Sequence, residues 1–509
     1  MDKRLFLALL LSFVVLFGWQ AMMTKLYPPD NTTVTNQTSS SLPDEQAEAE
    51  AALTTAAQAS IPEVQHKPEQ LWNFEQDNFS ISFDENSGSI KDAVFKNYQS
   101  YKFTLGSGLL LKRFQFQKES AGPEKVVFAY QDQEKRVEKQ FNFRNRNYDI
   151  WLEIKVKNLA SLPLKLSLPL LLGTVDSQDK TNQGPRGYQV QPQVMASFKD
   201  KNLYFNTRKA RDFADIKFVG LKERYFCLII DPESSNYSGY ISELNSHEAE
   251  VGITSPEFTL APGETFSQKF HIYLGPQDLS LLKSIKPEWG SIMHFGMFDL
   301  IAQTLLQVLN FVHGITQNWG WSIILLSTLI YLVLFPLTVK QMRSMKAMQA
   351  LQPHMEELRK KHKDSPQKLN KEMMLLYREH KVNPLGGCLP FVLQIPIFFA
   401  LYRVLINSVA LKGAHFLWIK DLSQPDGLVL FGKSVNILPL VMAGLMFLQQ
   451  KMTVSGSGQQ SAQQQRMMAF MMPIFFAFIF YSMPAGLVLY WLVNSFLMFV
   501  NQTLIQRKK

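Results

Sequence analysis

The chain has 509 residues, of which 46% are hydrophobic and 19% charged, with a formal net charge of +9 at pH 7. A mean hydropathy of −0.07 excludes a chain made only of membrane helices, because a large water-soluble part must offset any apolar spans. The two cysteines, Cys227 and Cys388, lie in different parts of the chain and imply neither a disulfide framework nor a metal site.

Residues 1–27 open with Lys3 and Arg4 and run apolar from Leu5 to Met23. The run is longer than a signal core and no small-x-small cleavage site follows, so an uncleaved signal-anchor span is expected, N-terminus inside. Residues 28–66 are rich in Pro, Thr, Ser, Gln, Ala and Glu, a composition that buries no core and reads as a flexible linker. The Asn-x-Thr triplets at Asn31 and Asn36 match a pattern too common to carry weight.

Over 67–280 the texture changes to short alternating runs. FSISF at 79–83, QFNF at 140–143 and WLEIKVKN at 151–158 have period two, with turn sequences such as ENSGS between them. RYFCLII at 224–230 and FSQKFHIYLG at 266–275 follow. Many short strands with turn signals predict an all-β sandwich, here lying between two spans on the outer side. No nucleophile, acid–base pair or metal-ligand set groups within it.

Residues 281–318 hold an amphipathic helix. Phe298, Ile301, Leu305, Val308 and Val312 recur at helical spacing, with Asp299, Gln303, Gln307 and Asn310 opposite. It reads either as a helix lying in the membrane interface or as a packed linker helix.

The last part, 319–509, carries five predicted spans: Trp319–Leu337, Gly387–Ile406, Val435–Leu448, Met467–Met483 and Ala485–Val500. The third is only 14 residues, against the ~20 a bilayer normally needs. It is retained because otherwise Arg507, Lys508 and Lys509 would end outside, against the positive-inside bias. With the anchor this gives six spans and both termini inside. The fold class is thus a membrane α-helical bundle joined to an all-β domain.

A charged helical hairpin is expected over 339–382. Met342, Met345, Met348, Leu351, Met355 and Leu358 make one apolar stripe, and Leu369, Met373 and Leu376 a second. Glu356–Lys360 and Glu357–Lys361 are favourable i,i+4 pairs, and Ser365-Pro366 starts the second helix. Residues 340–381 hold eleven Lys or Arg against five Asp or Glu, which places them in the cytoplasm. The net positive charge is explained by such loops rather than by nucleic-acid binding, and no specific nucleic-acid contact is expected. Arg359, Lys360 and Lys361 form a candidate docking surface for a ribosome, lipid headgroups or an incoming chain.

The five spans contain no Asp, Glu, His or Lys. A proton-coupled transporter normally needs a titratable relay within the membrane, so that class is disfavoured. What remains is polar but chemically inert: Ser327, Tyr331, Gln394, Tyr490 and Asn494, with Arg403 the lone charge. Each reads singly as a satisfied packing or snorkelling residue, and Arg403, within about one to two turns of the outer end of its span, reads either as a snorkelling side chain or as a groove charge. Together they can line a wet groove that lowers the cost of burying a polar segment. Met442, Met446, Met467, Met468, Met471 and Met472 are gap-fillers or a soft surface for varied apolar helices. No cofactor, metal or enzymatic role is called for.

These residues resemble a known family. Asn383-Pro384-Leu385-Gly386-Gly387-Cys388, with Pro390, Gln394, Pro396, Ile397, Phe398, Ala400, Leu401 and Tyr402, is similar to the third span of the YidC/Oxa/Alb insertases. Asn318-Trp319-Gly320, Ser322 and Phe335-Pro336-Leu337-Thr338 resemble the second span. Leu417-Trp418-Ile419-Lys420-Asp421-Leu422 resembles the next outer loop, and Pro484-Ala485-Gly486-Leu487-Val488-Leu489-Tyr490-Trp491 the last span. The β domain matches in outline, as at Gly220-Leu221 and Arg224-Tyr225-Phe226. The anchor and the large outer domain resemble the Gram-negative form.

The resemblance implies insertion and folding of inner-membrane proteins, alone or beside the Sec translocon, with nascent membrane proteins as substrates and a ribosome as a possible partner. It implies a periplasmic β-supersandwich of sugar-mutarotase-like fold. It implies a hydrophilic groove, for which the intramembrane polar residues Ser327, Tyr331, Gln394, Arg403, Tyr490 and Asn494 are the candidates, Arg403 standing where relatives tend to have an aromatic residue. The implied slide into lipid runs over Ile397, Phe398, Leu401, Met471 and Trp491. The chain departs from the family twice. Tyr331 stands where the groove usually has an Arg, and the C-terminal tail is short. The rival classes are a small-solute transporter or channel and a membrane-anchored carbohydrate enzyme.

Overall fold

The computed structural model describes residues 69–509 except 112–113, 146–147, 177–191, 200, 207–208, 235, 246, 363–364, 381, 383–388, 431, 455–458 and 508–509. The expected anchor and linker, and the run Asn383–Cys388, lie outside the described residues.

Strands between Leu71 and Pro276 form an eight-stranded and a nine-stranded sheet plus one two-stranded ribbon. The period-two runs become strands because alternate side chains reach the core. In Asp149–Asn158, Ile150, Leu152, Ile154 and Val156 all point inward. Aromatic pairs join the two sheets: Phe83 meets Phe128 and Phe141, and Phe95 stacks on Phe226 with ring centroids 4.2 Å apart. The ENSGS turn places Gly88 at φ +54°, where an added Cβ would sit 2.7 Å from the Phe128 ring.

The β unit extends past residue 280. Helix α1 (Leu279–Ile285) and a 3-10 turn (Pro287–Ile292) cap it rather than starting the interfacial element. Trp289 is fully buried and donates its indole N–H to Asp231 at 3.2 Å, while Ile292 fills the space above Gly220.

Helix α2 (Asp299–Thr316) packs on the helices that follow. Its buried residues are Ala302, Leu306 and Leu309, offset from the expected stripe, whereas Phe298, Ile301, Leu305 and Val308 are only partly covered. Small Ala302 permits the close approach, and Leu300, Phe311 and Ile315 are left facing out.

Helix α3 (Trp319–Ala350) is a single helix that continues beyond the expected span into the first arm of the hairpin. After a break at Leu351 come α4 (Gln352–Lys361) and α5 (Pro366–Glu379). Tyr377 donates to the Met355 sulfur at 3.4 Å, joining the two arms. Ser365 precedes α5 with Pro366 at its first turn, but its side chain makes no cap bond. Helices α6 (Leu389–Asn407), α7 (Ile437–Val454), α8 (Gln459–Phe480) and α9 (Ala485–Arg507) complete the bundle. The segment expected as a short span, Val435–Leu448, lies in an 18-residue helix that runs on past Leu448 to Val454. Trp319–Met348 and Ala485–Leu504 are long and apolar enough to cross a membrane, and Gln394–Asn407, Ile437–Met452 and Phe470–Phe480 are shorter apolar stretches.

The loop between α6 and α7 ties the ends of several helices together. Gln424 and Leu422 carbonyls accept from Ala485 N at 2.7 Å and Gly486 N at 3.0 Å. Asp426 is buried and accepts from Ile437 N at 2.7 Å and Leu438 N at 3.0 Å, capping α7. Asn436 donates to the Tyr481 carbonyl at 2.6 Å, beside the end of α8.

The β domain meets the bundle at this same end. Buried Arg224 donates Nε to the Ile406 carbonyl at 3.0 Å, placing its charge at the negative end of α6. Its guanidinium lies over Tyr225 at 4.6 Å, and Lys412 lies 3.8 Å from the Tyr101 ring centroid.

Buried Lys139 gives the β domain a distinctive pH response. Its ammonium donates to the Ser87 carbonyl at 3.0 Å and the Gly88 carbonyl at 2.5 Å. Burial pushes its pKa down to about 7, opposed by the nearby Asp84 carboxylate. The unfolded chain keeps this proton up to the usual lysine range, near 10.4. Between those values the unfolded state binds more protons, so this group's contribution to stability rises with pH. We expect the β domain's thermal midpoint to gain less between pH 7.5 and 9.5 in Lys139→Met than in the parent chain. Equal gains in calorimetry would contradict that.

Candidate functional site: a polar band within the helical bundle

Five of the six polar residues singled out in the sequence fall on three neighbouring helices, α3, α6 and α9. Gln394 of α6 donates its amide to the Tyr490 hydroxyl of α9 in a short hydrogen bond. Tyr490 is fully buried and Gln394 half-buried. Ser327 of α3 is buried and donates to its own helix, at the Ile323 carbonyl, 2.6 Å away. Tyr331 is buried one turn further along, its hydroxyl facing Asn501 of α9 without a hydrogen bond of normal geometry. Asn494 is half-buried, one turn along α9 from Tyr490.

At about 1.5 Å rise per residue, these groups lie roughly 8–18 Å along their helices from the end that meets the β domain. The band is uncharged. Its chemistry is hydrogen bonding alone, which suits reversible contact with a polar peptide segment. Among the described residues, no group of three or more His, Cys, Asp or Glu is placed to hold a metal ion.

Arg403 is not part of this band. Its side chain is exposed, and it lies one turn before Ile406, whose carbonyl Arg224 binds. It is about 13 Å along α6 from Gln394. It also lies within electrostatic reach of Lys222 in the β domain. Lys222 is buried against the Ile292 carbonyl at 3.1 Å, and burial first, then the repulsion of Arg403, lowers its pKa to about 8. A long side chain near a helix end turns outward to water by preference, which accounts for the position of Arg403.

The expected slide residues divide three ways. Ile397, Phe398 and Trp491 are half-buried in an aromatic seam between α6, α8 and α9. Phe398 meets Trp491 edge-on at 5.4 Å, and Phe476 stacks on the same indole at 5.7 Å. Met471 is exposed on α8, among exposed Phe470, Ile474, Phe475 and Phe478. Leu401 is fully buried in the core and offers no outer surface. In the hairpin, Lys360 and Lys361 are exposed, and the Arg359 side chain lies outside the described residues.

Sequence reasoning missed three features. One is the direct Gln394–Tyr490 bond, because periodicity gives a face but not its partner. Another is the Asp426 cap, which lies eleven residues before Ile437 and so gives no local signal at the start of α7. The third is Gly320, where an added Cβ would meet the Phe416 ring at 2.1 Å.

Comparison with known proteins identifies the chain. Residues 311–509 match the family model of the 60Kd inner membrane protein, and residues 111–308 that of the YidC periplasmic domain. The membrane protein insertase YidC of Pelobacter propionicus is 31% identical, over 100% of this chain and 99% of that protein. Its counterpart in Cupriavidus taiwanensis is 38% identical over 75% of this chain and 68% of that protein. Other Cupriavidus insertases align over 51–66% of their own length. A solved structure of an active YidC insertase with its first transmembrane domain overlaps 86% of this chain and 93% of that one, with 20% identity and a TM-score of 0.41. The chain belongs to the YidC family of membrane protein insertases.

Proposed function

We infer that this chain inserts and helps fold integral membrane proteins in the bacterial inner membrane, with nascent membrane proteins as its substrates. The observation that carries this reading is the Gln394–Tyr490 pair within an uncharged polar band of an otherwise apolar bundle. A polar segment crossing the bilayer needs temporary hydrogen-bond partners, because an unsatisfied backbone group in hydrocarbon costs several kcal/mol, of order 2–7. Gln394, Tyr490, Asn494, Ser327 and Tyr331 supply such partners without adding a charge. The seam of Ile397, Phe398 and Trp491, with exposed Met471, is the apolar route by which a substrate helix leaves for lipid.

The reading assigns residues 1–27 as a signal-anchor span, 28–66 as a linker and 67–280 as the body of the periplasmic domain. The segment 281–318 follows, then a five-span core over 319–509 with a cytoplasmic hairpin at 339–382. Five core spans are supported by the bundle's alternation, and a sixth, with both termini inside, by the charge bias of the sequence alone. The starts of α3, α7 and α9 and the ends of α6 and α8 gather at the β-domain side, and the hairpin continues from the far end of α3. Arg359, Lys360 and Lys361 are the proposed docking surface for a ribosome or incoming chain. Cooperation with the Sec translocon belongs to the same reading. A solute transporter or channel is disfavoured by the absence of Asp, Glu, His or Lys in the five spans.

Replacing both partners of a buried hydrogen bond leaves no orphan, so Gln394→Leu with Tyr490→Phe should fold stably. In cells depleted of the parent chain, the pair should lower insertion of short-looped substrates with polar translocated segments by about tenfold, the scale of one ~1.4 kcal/mol interaction. Unchanged insertion by a stably expressed double variant would remove the groove from the account. Arg403→Ala should leave insertion of acidic-tailed substrates within about twofold, because a single charge beyond ~10 Å at high effective dielectric is a weak term. A tenfold loss, assayed by protease protection, would return Arg403 to the groove.

A further inference from the structure

We propose that the turn Phe416–Ile419 is a lipid anchor that holds the outer loop in the headgroup boundary of the outer leaflet. The inference rests on the reading that the bundle spans a bilayer.

The turn is built to display two apolar side chains. Phe416 and Ile419 exchange backbone hydrogen bonds of 2.9 Å in each direction, and both side chains are buried. Between them, Leu417 is 74% exposed and Trp418 39% exposed. Leu417 has φ +54°, a left-handed conformation that a bulky side chain adopts only when its surroundings impose it.

The occupant follows from what adjoins the turn. Phe416 packs over Gly320 and lies edge-on to Trp321, with ring centroids 5.6 Å apart, at the first turn of α3. Trp321 begins a row of exposed apolar residues on α3 that continues through Leu325, Leu329, Leu332 and Val333. Leu417 and Trp418 therefore lie at the outer end of a lipid-facing stripe. Exposed Val429 adds apolar surface on the hairpin that follows in the same loop. The Trp418 indole N–H lies 3.5 Å from the Asp426 carboxylate, and Lys420 is exposed two residues on. A ring with one polar edge, an apolar neighbour and a nearby lysine is the side-chain set that settles at a bilayer–water boundary.

The anchor would act on the site through the loop. The same loop binds the first residues of α9 through Leu422 and Gln424, and caps α7 through Asp426. Fixing its depth fixes the height of Tyr490 and Asn494 in the bilayer.

The test uses the full chain in liposomes, with Cys227 and Cys388 replaced by Ala. An environment-sensitive fluorophore is placed on Leu417→Cys, on Leu332→Cys of α3 and on Asp212→Cys, an exposed residue of the β domain. At 417 we expect blue-shifted emission, quenched more by lipids spin-labelled near the headgroup than near the chain end, and at least threefold less sensitive to iodide than at 212. Iodide quenching at 417 equal to that at 212, with the 332 label still lipid-quenched, would overturn the anchor alone. Water exposure at both 417 and 332 would overturn the spanning reading with it. Shielding at 417 from both lipid and iodide would show a protein contact and overturn the lipid assignment.

Discussion

The structure depends on one constraint: a polar group placed among apolar helices must find its hydrogen bond within the protein. The bundle meets it locally wherever it can. Ser327, Thr328 and Thr338 donate to the carbonyls of Ile323, Ile324 and Leu334, four residues back along their own helix. Gln394 and Tyr490 are different, because each depends on a separate helix. A bond between helices can be exchanged for a bond to a guest, whereas a bond within a helix offers the guest nothing new. Asn501 and Thr503 of α9 also reach other helices, but their acceptors are the weakly accepting sulfurs of Met342 and Met452, which leaves the Gln394–Tyr490 pair as the contact proposed to open to a guest. In the proposed reading an uncharged groove suffices, since exchange of hydrogen bonds between neutral groups needs no ion to be desolvated.

The second organising feature is the junction at the outer end. Arg224 sits in the turn before a central strand and donates to the last turn of α6, while the Asp278 carboxylate caps α1 beneath it. The loop after α6 is held against the β domain by Lys412 over Tyr101, and at Gly413 the chain passes so close to Gln99 that an added Cβ would meet its amide at 1.8 Å. The β domain is therefore packed onto the core rather than merely tethered to it, although it contributes no residue to the polar band.

Much of the fold was legible because period-two and period-3.6 patterns report directly on which side chains are buried. Runs such as WLEIKVKN and FSQKFHIYLG became strands over nearly the same residues. What the pattern could not supply was contact between elements. The stripe Ile301, Leu305 and Val308 is the more apolar face of α2, yet the packed face is Ala302, Leu306 and Leu309. Small residues let helices approach, and a scale of hydrophobicity undervalues them. Arg224 and Tyr225 read as the start of a strand but stand in the turn before Phe226, where the domain meets the bundle. The outward turn of Arg403 was legible as snorkelling near a span end, whereas its place beside Lys222 needed the tertiary structure. Of the candidate site, residue types and helices were legible, whereas the pairing of Gln394 with Tyr490 was not.

The central claim is that a substrate contacts the polar band between α6 and α9 rather than the outer lipid face of the bundle. Site-specific photo-crosslinking to a ribosome-stalled nascent membrane protein tests it most directly. A photoreactive side chain at Asn494 lies beside Tyr490 without breaking its bond to Gln394, and one at Leu332 lies on the exposed face of α3. The account predicts strong adducts from position 494 and few from position 332. Equal adducts from both positions, or adducts from 332 alone, would contradict it.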